Sequence, residues 1–176
     1  MNKKVKALVG KTRKQALRFS KILKEGTFVA IDPSCVSRSS VPGYAIFEEG
    51  KCIEMGVFDI PWHPDLTKRL RAINTLMREA FPNIDLLVLE EIPKKPLRAT
   101  AKGITHGMNQ ASYNSLQRAV GAIMSGTPEG IKTLMIPASL WHYIAKKNNW
   151  AIVKEDDEDA LLIGMAAINL VETVDE

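Results

Sequence analysis

Thr27-Phe28-Val29-Ala30-Ile31-Asp32 is the stretch on which the reading of this chain turns. Its apolar residues run without alternation over the length of one strand. An alternating strand covers one face, whereas a continuous apolar run is buried on both, as in the middle of a layered α/β sheet. The run ends on a carboxylate followed by Pro33, an awkward place for a charge without a task. The same figure recurs at Asp85-Leu86-Leu87-Val88-Leu89-Glu90, where a second apolar run ends on an acid. A third acidic group, Asp156-Asp157-Glu158-Asp159-Ala160-Leu161, opens a helical pattern.

Outward from these runs the order of elements follows. Gly26 closes a basic leading segment, and a Ser-rich loop spans Pro33 to Pro42. Gly43–Glu48 and Lys51–Ile60 read as strands joined by Glu49-Gly50, a two-residue hairpin signal. Beyond Pro61 and Pro64, Asp65 is placed to cap a helix over Leu66–Phe81, with Leu66, Leu70, Ile73, Met77 and Ala80 as its stripe. Asp85–Ile92 is a fourth strand. A helix around Ser112–Ser125 carries Leu116, Val120, Ile123 and Met124, with Gly121 allowing close packing. Ile131–Ile136 is a fifth strand, Pro137 introduces a helix over Ala138–Lys147, and the last helix runs from about Asp157 to Val171. The order β-β-β-α-β-α-β-α-α predicts an α/β layer fold. Strands one to three form an antiparallel meander, and right-handed crossovers make strands one, four and five parallel. If strands one and four are neighbours, Asp32 and Glu90 face each other across one strand spacing, roughly 5 Å.

The 176 residues fit one domain, and 45% hydrophobic content supplies a core without staples. No apolar run approaches a bilayer span, so no membrane association is expected. Cys35 and Cys52 form no CxxC pair, and read as reduced thiols of a cytoplasmic protein. The net charge is +4, unevenly placed: residues 1–25 carry Lys3, Lys4, Lys6, Lys11, Arg13, Lys14, Arg18, Lys21 and Lys24 against Glu25 alone, whereas the end of the chain is acidic. Val5, Leu8, Val9, Ala16, Phe19 and Leu23 fall roughly on one helical face. The organisation expected is therefore a basic amphipathic arm over 1–25 and an α/β domain over 26–176 that carries the acidic residues. The arm would attract a phosphate backbone or dock a partner. An organellar targeting signal is the last-ranked reading.

The carboxylates are weighed together. Asp156 and Asp159, three residues apart, point to one side of a helix, yet acids in a first turn commonly serve the helix dipole. A strand-end glutamate is also ordinary. The conjunction of all three places with Asp32 favours a site for hard divalent cations, with Mg²⁺ held by carboxylates. In-line hydrolysis of a phosphodiester uses two such ions roughly 3.5–4 Å apart, one activating water and one stabilising the leaving oxygen. Asp32 would bridge the pair, Glu90 and Asp159 would flank it, and Asp156 would complete the second position. Glu91 is the adjacent alternative, since alternation along a strand lets only one of Glu90 and Glu91 face the site.

These residues resemble the RuvC family of Holliday-junction resolvases, within the RNase H-like superfamily. Ile31-Asp32-Pro33 with Gly43-Tyr44-Ala45-Ile46, then Leu89-Glu90-Glu91, then Asp156-x-x-Asp159-Ala160-Leu161 match that family's motifs in order and spacing. Ser115-Leu116-Gln117-Arg118-Ala119-Val120-Gly121 is similar to the helix after its second motif. The resemblance covers about 27 to 170. It implies an RNase H-like sheet flanked by helices on both faces, and a homodimer that nicks four-way or other branched DNA with two Mg²⁺ ions per site, Mn²⁺ substituting. Asp32, Glu90, Asp156 and Asp159 take the catalytic places, with no small-molecule cofactor, in the cytoplasm of a bacterial or phage-infected cell. Ser34 stands where the family has Gly, and Pro93 occupies the region of an aromatic junction wedge. These departures resemble a phage-type or divergent member.

Basic residues near the acids complete the reading. Lys94, Lys95, Arg98 and Lys102 follow Glu90 closely and would grip backbone phosphates. Arg118, Lys146 and Lys147 are further candidates for nucleic-acid contact, although a charge run is often only a solvated face. His106 and His142 read as ordinary polar residues, Trp141 as core or dimer interface, and Trp150 as a helix end able to stack on a base. The alternatives carried are an RNase H-like binding or assembly protein without catalysis, and an RNA-directed nuclease of the same fold.

Overall fold

The computed structural model describes residues 3–34, 40–92, 110–152 and 156–172. Two helices, α1 (Lys3–Ala16) and α2 (Ser20–Glu25), are joined by a 3-10 turn and lead into β1 (Thr27–Asp32). Then follow β2 (Gly43–Glu48), β3 (Lys51–Val57), α3 (Leu66–Ala80), β4 (Leu86–Glu91), α4 (Gln110–Gly126), β5 (Lys132–Pro137), α5 (Ala138–Lys147) and α6 (Asp156–Glu172). The five strands form one sheet in the order β3-β2-β1-β4-β5. β1 pairs antiparallel with β2, and β2 with β3, while β1, β4 and β5 run parallel. The expected mixed sheet is therefore present, with β1 and β4 as neighbours.

Local chemistry accounts for the joints. Glu49 and Gly50 both have positive φ, 49° and 73°, the two-residue turn whose twist matches an antiparallel pair. Asp65 caps α3 by accepting the Thr67 N–H at 2.8 Å. Asp85 Oδ2 accepts the Thr27 N–H at 2.9 Å, which ties the start of β4 to the start of β1.

The central strands are buried on both faces, as their unbroken apolar runs require. Phe28, Ala30, Phe47, Leu86, Val88, Leu134 and Ile136 point to one side, where α5 and α6 cover them. Val29, Ile31, Leu87 and Leu89 point to the other, against Ile73 and Met77 of α3 and Ala119 and Ile123 of α4. α6 lies across the sheet and, beyond its acidic first turn, is nearly all apolar; its Ala160, Leu162, Ile163, Ala166, Ala167 and Leu170 are buried. A helix apolar all round must be covered all round. The sheet covers one side of it, and α1, α2 and α5 lie on the other. Residues 3–25 thus add to the same core: Thr12, Ala16 and Leu23 are buried, whereas Lys6, Lys11, Lys14, Arg18, Lys21 and Lys24 are exposed.

Two glycines permit the closest approaches. A Cβ on Gly164 of α6 would run into the Phe47 ring and lie 3.1 Å from the Ala30 Cβ. A Cβ on Gly126 would meet the Asn74 carbonyl oxygen at 2.5 Å, where α4 meets α3. Gly121, expected to fill that role, faces open space.

Candidate active site

Strand parity decides which acids share a face. Counting from Phe28 and Ala30, Asp32 projects to the α6 side of β1; counting from Leu86 and Val88, Glu90 projects to the α6 side of β4. Glu91 falls with Leu87 and Leu89 on the α3–α4 side. The β1–β4 register pairs Ile31 with Leu89, so its continuation sets Asp32 beside Glu90 at about one strand spacing, ~4.8 Å. Both strands end at this edge because they are parallel.

α6 delivers the third acid. Its first turn holds Asp156, Asp157, Glu158 and Asp159, and the unfilled amides at that helix start favour negative charge. Asp157 Oδ1 accepts the Glu158 N–H at 3.0 Å. Asp159 is partly buried, one residue before the fully buried Ala160, and acts electrostatically on Glu90. The side chain of Asp156 lies outside the described atoms.

Glu90 is the best defined of the set. Burial raises its pKa above the ordinary glutamate value, the hydrogen bond from Trp141 opposes that rise, and the nearby Asp159 charge adds to it. The indole Nε1–H of Trp141 donates to Glu90 Oε2 at 2.8 Å. Trp141 is 2% exposed and stacks on His142, with ring centroids 3.7 Å apart. This partner of Glu90 was not foreseen from the sequence, where Trp141 read as core or interface. Its place one turn after Pro137 becomes informative only once β5 is known to end alongside β4.

The donors are all carboxylates, the ligand type hard divalent cations take, and Glu90 and Asp159 crowd like charge at one corner that a cation would neutralise. Among the described residues, no three His, Cys, Asp or Glu side chains lie close enough together to hold a metal ion.

The described residues among the other expected site positions lie apart from Glu90. Lys94, Lys95, Arg98 and Lys102 lie outside the described residues, as do Pro93 and His106. Arg118 is exposed on α4, across the sheet from Glu90. Lys146 and Lys147 are exposed in the last turn of α5, roughly 7–9 Å along the axis from Trp141 at 1.5 Å per residue. Trp150 is half-buried and packs on the core.

No family profile and no curated protein sequence matches this chain. The fold, in contrast, is similar to a solved structure of T. thermophilus RuvC in complex with a Holliday junction substrate, with a TM-score of 0.54, 13% sequence identity, and coverage of 80% of this chain and 90% of that one. At that identity the likeness establishes architecture: the chain has the mixed five-stranded, RNase H-like α/β fold of RuvC.

Proposed function

We propose that this chain is a divalent-cation-dependent endonuclease that acts on four-way or related branched DNA. The observation that carries the reading is that Glu90 and Asp159 lie within electrostatic reach of each other on one side of the sheet, at the edge where β1 ends on Asp32. The fold shared with a nuclease bound to a junction supports the substrate class.

The chain's own residues have distinct tasks in this proposal. Asp32, at the end of β1 beside β4, would bridge the cations; Glu90 and Asp159 would flank it, and Asp156 would complete the set. Two Mg²⁺ ions held by these carboxylates would supply an activated water and stabilise the leaving oxygen, and Mn²⁺ would replace them. Lys94, Lys95, Arg98 and Lys102 follow directly from β4 and hold the scissile strand by its phosphates. A homodimer would place two such sites on one junction and nick it symmetrically.

Labelled four-way junction, linear duplex and RNA–DNA hybrid, incubated with Mg²⁺ or with EDTA, test the proposal. Mg²⁺-dependent nicking of the junction is expected, with Asp32→Asn reducing the rate at least a thousandfold, on the order of the loss on removing a central catalytic group. Uncut junction in both Mg²⁺ and Mn²⁺ would refute it. A second reading is favoured by the lack of a closed three-carboxylate group among the described residues: a protein that binds branched DNA without cutting it. Tight junction binding with no turnover selects that reading, and preferential cutting of the hybrid selects an RNA-directed enzyme.

A further inference from the structure

β5 lies beside β4 in parallel register, with Ile136 opposite Glu90. The chain turns at Pro137, opposite Glu91, directly into α5, so that helix begins beside the end of β4. This places Trp141, five residues beyond Ile136, where its indole reaches back to the Glu90 carboxylate.

The contact is specific. Indole nitrogen is a donor only, and a buried indole N–H needs an acceptor. Trp141 is among the largest fully enclosed side chains of the molecule, and its donor meets Oε2 of Glu90 at 2.8 Å. A hydrogen bond to one oxygen restrains rotation about the terminal carboxylate bond, which leaves Oε1 as the oxygen to offer a second partner. A packing role alone would be met by any large apolar side chain; the donor adds a fixed orientation.

We infer that Trp141 is a positioning residue for the acidic site, holding Oε2 of Glu90 through its indole N–H so that Oε1 is presented toward Asp32 and Asp159. The inference rests on the reading of Glu90 as a ligand of divalent cations. Groups that orient ligating carboxylates in this way influence cation affinity by about tenfold to a hundredfold.

Calorimetric Mg²⁺ titration of the full chain without DNA, for wild type and Trp141→Phe, tests it alongside thermal unfolding. Phenylalanine keeps an aromatic ring and removes the donor. The expected result is Mg²⁺ binding weakened by about tenfold to a hundredfold in Trp141→Phe. In junction cleavage, the Mg²⁺ concentration for half-maximal rate should rise by a similar factor, while the rate at saturating Mg²⁺ stays within about threefold, a split that mere loss of packing would not give. Equal affinity within twofold, with or without a lower Tm, overturns the positioning role and leaves the acidic site standing. Wild type that takes up no Mg²⁺ overturns both. Should Trp141→Phe fail to fold, the wild-type chain still decides: of the indole N–H resonances of Trp62, Trp141 and Trp150, that of Trp141 should shift most on adding Mg²⁺, and an unmoved Trp141 resonance overturns the inference.

Discussion

Glu90 sits under two opposing demands. A site for cations wants it ionised and close to Asp159, whereas burial and that same neighbour favour the protonated form. Its pKa in the folded chain is therefore above the unfolded value, so the native state binds this proton more readily than the unfolded chain. Stability from this group is complete at acid pH, below the ordinary glutamate value, and is lost as pH rises through the elevated one. Glu90→Gln, measured in EDTA, should accordingly raise Tm at pH 7–8 and leave it unchanged near pH 3–4. The amide oxygen can still accept from Trp141, so the comparison isolates the charge. Thermal melts across this range check the sign; a lower Tm at neutral pH would show that the carboxylate is stabilising. At this scale the sequence was informative through parity: a strand cannot aim both Glu90 and Glu91 at one helix, and the two cores show that Glu90 faces α6. The Trp141 donor was not legible, because nothing local in Leu140-Trp141-His142 tells which strand end the helix will stand over.

Helix placement depends on small residues where backbones come close. Gly126 and Gly164 have no room for a Cβ, whereas Gly121 has ample room. Gly164→Ala should cost about 1–3 kcal/mol by overpacking against Phe47 and Ala30. Junction cleavage should fall with it, since the same helix carries Asp159. Gly126→Ala should cost a similar ~1–3 kcal/mol through its contact with the Asn74 backbone. Gly121→Ala, within α4 and against open space, should stabilise by about 0.5–1 kcal/mol. Urea unfolding of the three variants checks the order. Among the described residues, helical spacing located the four helices after β3 to within about two residues. Spacing could not tell which glycine is the tight one, because that depends on the partner helix, and α3 meets α4 at its last residue.

In the whole molecule, the basic N-terminal segment and the acidic corner are joined through one core. The arm read from residues 1–25 has exposed cations on one side and Thr12, Ala16 and Leu23 buried on the other, against α6 and its neighbours. Deleting it would uncover α6, and a marked loss of Tm is expected. Its contribution to DNA binding is better measured by Lys11→Gln, Lys14→Gln, Arg18→Gln and Lys21→Gln together, all at exposed positions. These should leave Tm within a few degrees and flatten the slope of log K against log[salt] by roughly 0.9 for each phosphate contact removed. An unchanged slope would mean that DNA does not reach this face.

The strands, the antiparallel meander of β1 to β3 and the parallel direction of β1, β4 and β5 were determined by the sequence alone, because unbroken apolar runs demand two covered faces and crossover handedness leaves few ways to supply them, whereas the adjacency of β1 and β4 that brings Asp32 and Glu90 to one edge came from the structure. The tertiary structure decided what surrounds those acids: that α6 crosses close enough for Asp159 to act on Glu90, that Trp141 bonds it, and that the N-terminal helices complete the same core. Those outcomes depend on how helices dock over strand ends, a long-range packing matter that periodicity and charge along the chain do not encode.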